Sequence, residues 1–278
     1  MNLLSTPSTA PEQQSQDPLD RRRAAISVLG HELRVLVDTA VRTTVAPDVL
    51  HRLAEGVRGL TGQLTGRRRT RGEIPVVDEF PGGVRMFNPV SGAGSPLAPP
   101  VRVTRTEDGV TGTEDGVTGT EDGVTGTCVL GIAHEGPPGY GHGGMSAMLL
   151  DELMGLACVA AGMPAMTVSL QMRYHRPVPV QTPLRVDARI TGTEDRKISV
   201  TGSITTEADH STVLVSADAL FVSPDPDRAR DLFPGPAGCL TARRGERVCR
   251  GASGHTLSRF PVPGESAGGR PCGSGRTR

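Results

Sequence analysis

Residues 134–161, HEGPPGYGHGGMSAMLLDELMGLACVAA, restrict this chain more than any other stretch. A loop rich in glycine and proline ends in a tight His142-Gly143-Gly144 corner, and helical sequence follows it. From 145 to 161 nearly every residue is Met, Ala, Leu, Cys or Val, and a helix apolar on all sides is a buried helix. Yet Asp151 and Glu152 stand near its middle. Its 17 residues are short for a membrane span, and an acidic pair would be costly there. The expectation is the core helix of a folded domain, with no membrane span. A carboxylate on such a helix needs a partner, a shifted pKa or a chemical task.

Strand patterns flank this helix. Residues 101–105 and 125–133 precede it. After it, period-two alternation runs through 166–176 (Met166, Val168, Leu170 and Met172 against Thr167, Ser169, Gln171 and Arg173), then 184–190, 198–204 and 213–221. Alternation broken by Pro, Thr and Asp turns predicts antiparallel strands with one covered face. Two strands, a buried helix and four more strands describe an α+β fold, an antiparallel sheet wrapped around one helix. Residues 106–126 are three tandem copies of TEDGVTG. Two glycines per copy exclude a coiled coil, and Asp-Gly is a hairpin signal. One copy is expected to be the native turn and two to be a duplication. TGTED recurs at 191–195, again at an expected turn.

Upstream, residues 1–20 are polar and expected to be disordered, without the apolar core of a secretory signal, so the cytoplasm is the expected compartment. Residues 21–66 read as a helical hairpin. Ile26, Leu29, Leu33, Leu36 and Ala40 mark one face of the first helix. Leu50, Leu53, Val57, Leu60 and Leu64, spaced 3, 4, 3, 4, mark a narrow stripe on the second. Arg67, Arg68, Arg69 and Arg71 read as a solvated run after a helix end. Residues 67–100 form a Pro/Gly-rich crossing segment anchored by Val84, Met86 and Phe87. The main domain is expected over 101–223, and 235–278, without apolar periodicity, as a disordered basic tail. Only 36% of the chain is apolar, consistent with unfolded ends, and zero net charge argues against wholesale nucleic-acid binding. Five cysteines, odd in number and without a CxxC pair, signal neither a disulfide framework nor a zinc site.

GHGGMSAMLLDELMG followed by MTVSLQMRYHRPVP resembles the PaaI-like hotdog-fold thioesterases over roughly residues 85–223. In that family an acid lies nine positions after the histidine of HGG, which here is Asp151. A Ser or Thr lies seven before the tyrosine of Y-x-x-P, which here is Thr167 before Tyr174 and Pro177. The resemblance implies a hotdog fold and hydrolysis of an acyl-CoA by a homodimer or a dimer of dimers, with no metal or redox cofactor. It implies Asp151 as general base or nucleophile, with Thr167 orienting the water or the acid and His142 positioning the thioester or holding the loop. Helix geometry bears on the same residues. Gly144 lies at the helix N-terminus, where free N–H groups favour an oxyanion. Asp151 lies about 10 Å further along the axis, too far to meet the same carbonyl, so the expected site combines Gly144 of one copy with Asp151 and Thr167 of another. Glycine at 143 and 144 lets substrate approach the backbone. Glu152 points about 100° away and is expected to be structural. Arg173 and Arg176, with His134 and His175, are candidates for the phosphates of coenzyme A. Two alternatives stand beside this reading. One is a hotdog enoyl-CoA hydratase, whose usual Asp/His motif is not visible, and the other is a non-catalytic acyl-CoA-binding or scaffolding protein.

Overall fold

The structure, a computed structural model, describes residues 17–79, 83–107, 110–112, 118–120 and 123–225. The chain divides into two units, Met1–Gly235 and Pro236–Arg278, and the second lies outside the described residues together with the expected disordered tail. Residues 1–16 lie outside them as well.

Helix α1 spans Pro18–Arg42 and starts three residues earlier than periodicity suggests. Asp17 caps it by accepting from the Leu19 N–H, and Pro18 sits in the first turn, where its missing N–H costs nothing. The seated face of α1 differs from the expected one. Ile26 and Leu33 do turn inward, but Leu29 and Leu36 are exposed. The helix is seated through Gly30 and polar groups. Arg34 donates to the Ala93 and Ser95 carbonyls at 2.8 and 2.7 Å, Arg23 donates to the Val77 carbonyl at 2.9 Å, and Asp38 accepts from the Ile132 N–H at 3.2 Å. Helix α2, Pro47–Gln63, buries none of its residues, so its apolar stripe is uncovered rather than packed in a docked hairpin. The basic run after it is exposed, with Arg67 ion-paired to Glu73 and Arg69 over the Phe87 ring at 5.9 Å. Of the expected anchors of the crossing segment Met86 is buried, Val84 is half-buried and Phe87 is exposed, and Val77 and Val90 are buried along with Met86.

Among the described residues one antiparallel sheet holds eight strands: β1 Arg102–Glu107, β2 Val110–Gly112, β3 Thr118–Thr120, β4 Gly123–Val129, β5 Met166–Tyr174, β6 Pro183–Glu194, β7 Lys197–Thr206 and β8 Val215–Val222. Their order is β2-β1-β4-β6-β7-β8-β5, and β3 shares an edge of β4. The heptads extend this ladder. Glu107 pairs with Val110 and Thr120 with Gly123, and the last copy carries Val124 into the core. Residues 108–109, 113–117 and 121–122 of the repeats lie outside the described ones. The TGTED at 191–195 does mark a turn, because Glu194 pairs with Lys197 across it.

Helix α3, Gly143–Ala160, lies against this sheet in the hotdog arrangement. By length and apolarity alone it could cross a membrane. Here Leu149, Leu150, Leu153, Met154 and Cys158 face Leu184, Val186, Val200, Ile204 and Phe221 in one core. Fully burying a side chain of this kind contributes about 1.5–3 kcal/mol. The sheet approaches the helix closely at Gly202, where a Cβ would stand 2.9 Å from both Leu150 and Met154. Cys128 and Cys158 are buried, and burial pushes their thiols up to about 12 and about 11, leaving them neutral and poor nucleophiles at neutral pH.

Candidate active site

The loop before α3 is held rigidly. Glu135 bridges Gly141, the Gly141 N–H donates to the Val178 carbonyl, and the His142 N–H donates to the His134 carbonyl at 2.8 Å. His142 is the N-cap of α3 and its Nδ1 accepts from the Gly144 N–H at 3.0 Å. The Met145 N–H turns back to the His142 carbonyl. The oxyanion donor expected at Gly144 is therefore already engaged. Among the described residues the first-turn amide without a hydrogen-bond partner is that of Gly143. Tyr174, noted in the sequence only as part of Y-x-x-P, holds this corner from the sheet. Its hydroxyl donates to the Gly143 carbonyl at 3.1 Å, and its ring would stand 3.4 Å from a Cβ at Gly143.

Asp151 and Thr167 come together, with the Thr167 hydroxyl donating to Asp151 Oδ1 at 2.7 Å. Simple alternation had set Thr167 on the face opposite Leu170 and Met172. The register shifts between Thr167 and Ser169, so Val168 is an extra residue in the strand. Thr167 is thereby paired with Phe221, whose side chain points into the core, and it joins Leu170 and Met172 on the helix-facing side. The bulge aims the hydroxyl at the carboxylate.

Glu152 turns elsewhere and accepts from Asn88 Nδ2 at 2.9 Å and Ser91 Oγ at 3.0 Å, fastening the crossing segment to α3. That agrees with the structural role expected of it. The residues proposed for phosphate contact do not converge on the Asp151–Thr167 pair. Arg173 pairs with Ser216 on the sheet face turned away from α3, and Arg176 follows the end of β5. His175 Nε2 meets Ser216 Oγ at 2.8 Å. Both ring nitrogens of His134 are engaged, Nδ1 accepting from the Gly131 N–H and Nε2 lying 3.3 Å from the Leu97 carbonyl. Among the described residues no three His, Cys, Asp or Glu side chains gather to hold a metal ion.

The pair lies at a border of the sheet. β5 is its last strand, and Thr167 is exposed. Large apolar side chains along β5 and on α3 also face outward, with Val168 61% and, at the far end of the strand, Tyr174 56% exposed, joined by Met148 and Met166. Within one copy the Gly143 amide and Asp151 are separated by about 12 Å of helix.

Comparison with known proteins bears on this geometry. Residues 138–213 match the family model of the thioesterase superfamily. The crystal structure of a thioesterase superfamily protein superposes with a TM-score of 0.54 at 34% identity, over 75% of this chain and 92% of that one. Acyl-coenzyme A thioesterase THEM4 of Mus musculus is 33% identical over 98 residues, 35% of this chain and 42% of that protein. Acyl-coenzyme A thioesterase THEM5 of Homo sapiens is 32% identical over 88 residues, 32% of this chain and 35% of that protein. The chain thus spans less than half the length of the curated relatives it matches.

Proposed function

Because the chain belongs to the thioesterase superfamily, we propose that it hydrolyses acyl-CoA thioesters to a free acid and coenzyme A. The observation that carries the reading is the Thr167–Asp151 hydrogen bond on an exposed border of the sheet. A carboxylate held on one oxygen by a hydroxyl keeps its other oxygen for water. Asp151 takes a proton from that water as general base while the water oxygen attacks the thioester carbonyl. The oxyanion that forms is received by the Gly143 amide and the positive end of α3. Collapse of the tetrahedral adduct breaks the C–S bond and releases coenzyme A as thiolate, a good leaving group with a pKa near that of cysteine, about 8.5.

The separation of amide and carboxylate along α3 supports a site made by two copies, one giving Gly143 and its corner and the other giving Asp151 and Thr167. Two features favour self-association at this border. The terminal strand β5 leaves backbone groups unpaired, and the apolar side chains beside it are exposed. His142 keeps the corner in shape by occupying the Gly144 amide.

The test is free-thiol release from short, medium, long and aromatic acyl-CoAs by the purified chain, with enoyl-CoA hydration measured alongside. Thiol release without hydration is expected, and hydration alone would replace the reading with a hydratase. Thr167→Val should lower kcat about 10- to 100-fold, the worth of a hydrogen bond to a charged group. Thr167→Ser should keep most of the rate, and equal losses in both variants would separate the hydroxyl from catalysis.

A further inference from the structure

We propose that Gly155 sets the length of acyl chain that the site accepts, an inference that rests on the acyl-CoA reading above. Gly155 lies four residues beyond Asp151, on nearly the same face of α3 and about 6 Å deeper along its axis. Val159 follows at about 12 Å, and both positions are partly open. Glycine inside a helix costs about 1 kcal/mol relative to alanine, so it needs a reason.

Gly202 has one in packing, since a Cβ there would press on Leu150, Met154 and the Asp187 carbonyl at 2.9–3.0 Å. Gly155 has none within one copy of the chain. A Cβ there would meet a single atom within 4 Å, Cε1 of Phe221 at 3.8 Å, which is ordinary contact. The fold would tolerate alanine. What the glycine leaves is an open, half-buried position one helical turn past the catalytic carboxylate. Beneath it lies the buried ring of Phe221, the residue paired across the sheet with Thr167. Room of that character next to the pair that activates water suits the apolar tail of the substrate, leaving the carbonyl beside Asp151.

The experiment compares wild type, Gly155→Ala and Gly155→Leu on butanoyl-, octanoyl- and palmitoyl-CoA. Melting temperature and solution mass are measured on the same samples. With Gly155→Leu, kcat/KM for palmitoyl-CoA should fall about tenfold or more, since denying several methylenes their apolar contacts is worth at least that. The value for butanoyl-CoA should stay within about twofold. Gly155→Ala should show a smaller loss in the same direction, with an equal or higher melting temperature. An unchanged chain-length profile in an active Gly155→Leu protein would overturn the inference and leave the hydrolase reading intact. So would equal losses at every length together with a changed solution mass, which would assign the glycine to subunit packing. A wild type inert on all three substrates would remove the hydrolase reading, and this inference with it.

Discussion

Asp151→Asn is expected to lower acyl-CoA hydrolysis by about two to four orders of magnitude, the range for loss of a positioned general base. The melting temperature should stay within a few degrees. Asparagine has the same shape, and its carbonyl oxygen still accepts from the Thr167 hydroxyl, so the local packing survives. The side chain is only partly buried, which keeps the exchange of a carboxylate for an amide inexpensive. Free-thiol release over an enzyme-concentration series, with calorimetry on the same samples, separates the two effects. Turnover within a few-fold of wild type would mean that the carboxylate does not activate water.

Gly30→Val is expected to produce the largest loss of stability. Gly30 is the buried residue of α1. A Cβ there would stand 2.5 Å from the Ala93 carbonyl oxygen and 2.7 Å from Gly94 Cα, backbone atoms that cannot swing aside. The same Ala93 carbonyl accepts from Arg34, so pushing the helix away also breaks its main polar attachment. Overpacking of this kind costs about 3 kcal/mol, which lowers Tm by roughly 6–12 °C for a domain of this size. Scanning calorimetry of the variant beside the wild type checks it. An unchanged Tm would show that α1 is not seated on residues 93–95 in solution.

The seat of α1 also shows where sequence reading stopped. Its apolar spacing was legible, but Leu29 and Leu36 face outward while Gly30, Arg34 and Asp38 face in. A helix that docks through backbone carbonyls leaves no hydrophobic period to read. Helix α3 was legible nearly to the residue, because all-round apolarity and the HGG corner each have one structural meaning. The meeting of Asp151 with Thr167 followed from family motifs and not from periodicity. Strict alternation put Thr167 on the wrong face, and the bulge at Val168 corrects it. No local pattern announces such a bulge. The proposed oxyanion donor is Gly143 rather than the expected Gly144 for a related reason: a histidine N-cap is uncommon, and no sequence pattern announces its ring on the Gly144 amide. The repeats were read only in part, for Glu107 pairs with Val110 on either side of one Asp-Gly as a hairpin signal requires. What the turn reading missed is that the last copy also supplies a core strand through Val124, since Val-Thr-Gly fits the ladder beside Ala188 and Asp187.

A site shared between two copies is the claim on which the mechanism depends, and subunit complementation tests it most directly. Gly143→Pro removes the amide proton and adds a ring whose Cβ would lie in ordinary contact with the Tyr174 ring, 3.4 Å away. Proline is well tolerated at the first helical position, and His142, with φ −60° and ψ 136°, already has the backbone that a residue before proline requires. Alone, this variant and Asp151→Asn should each be nearly inactive. Mixed in equal amounts and allowed to exchange subunits, half of the dimers pair one of each and carry one intact site, so activity should return to about a quarter of wild type. Activity that stays at the level of the separate variants, after exchange has been verified by mass, would contradict a shared site.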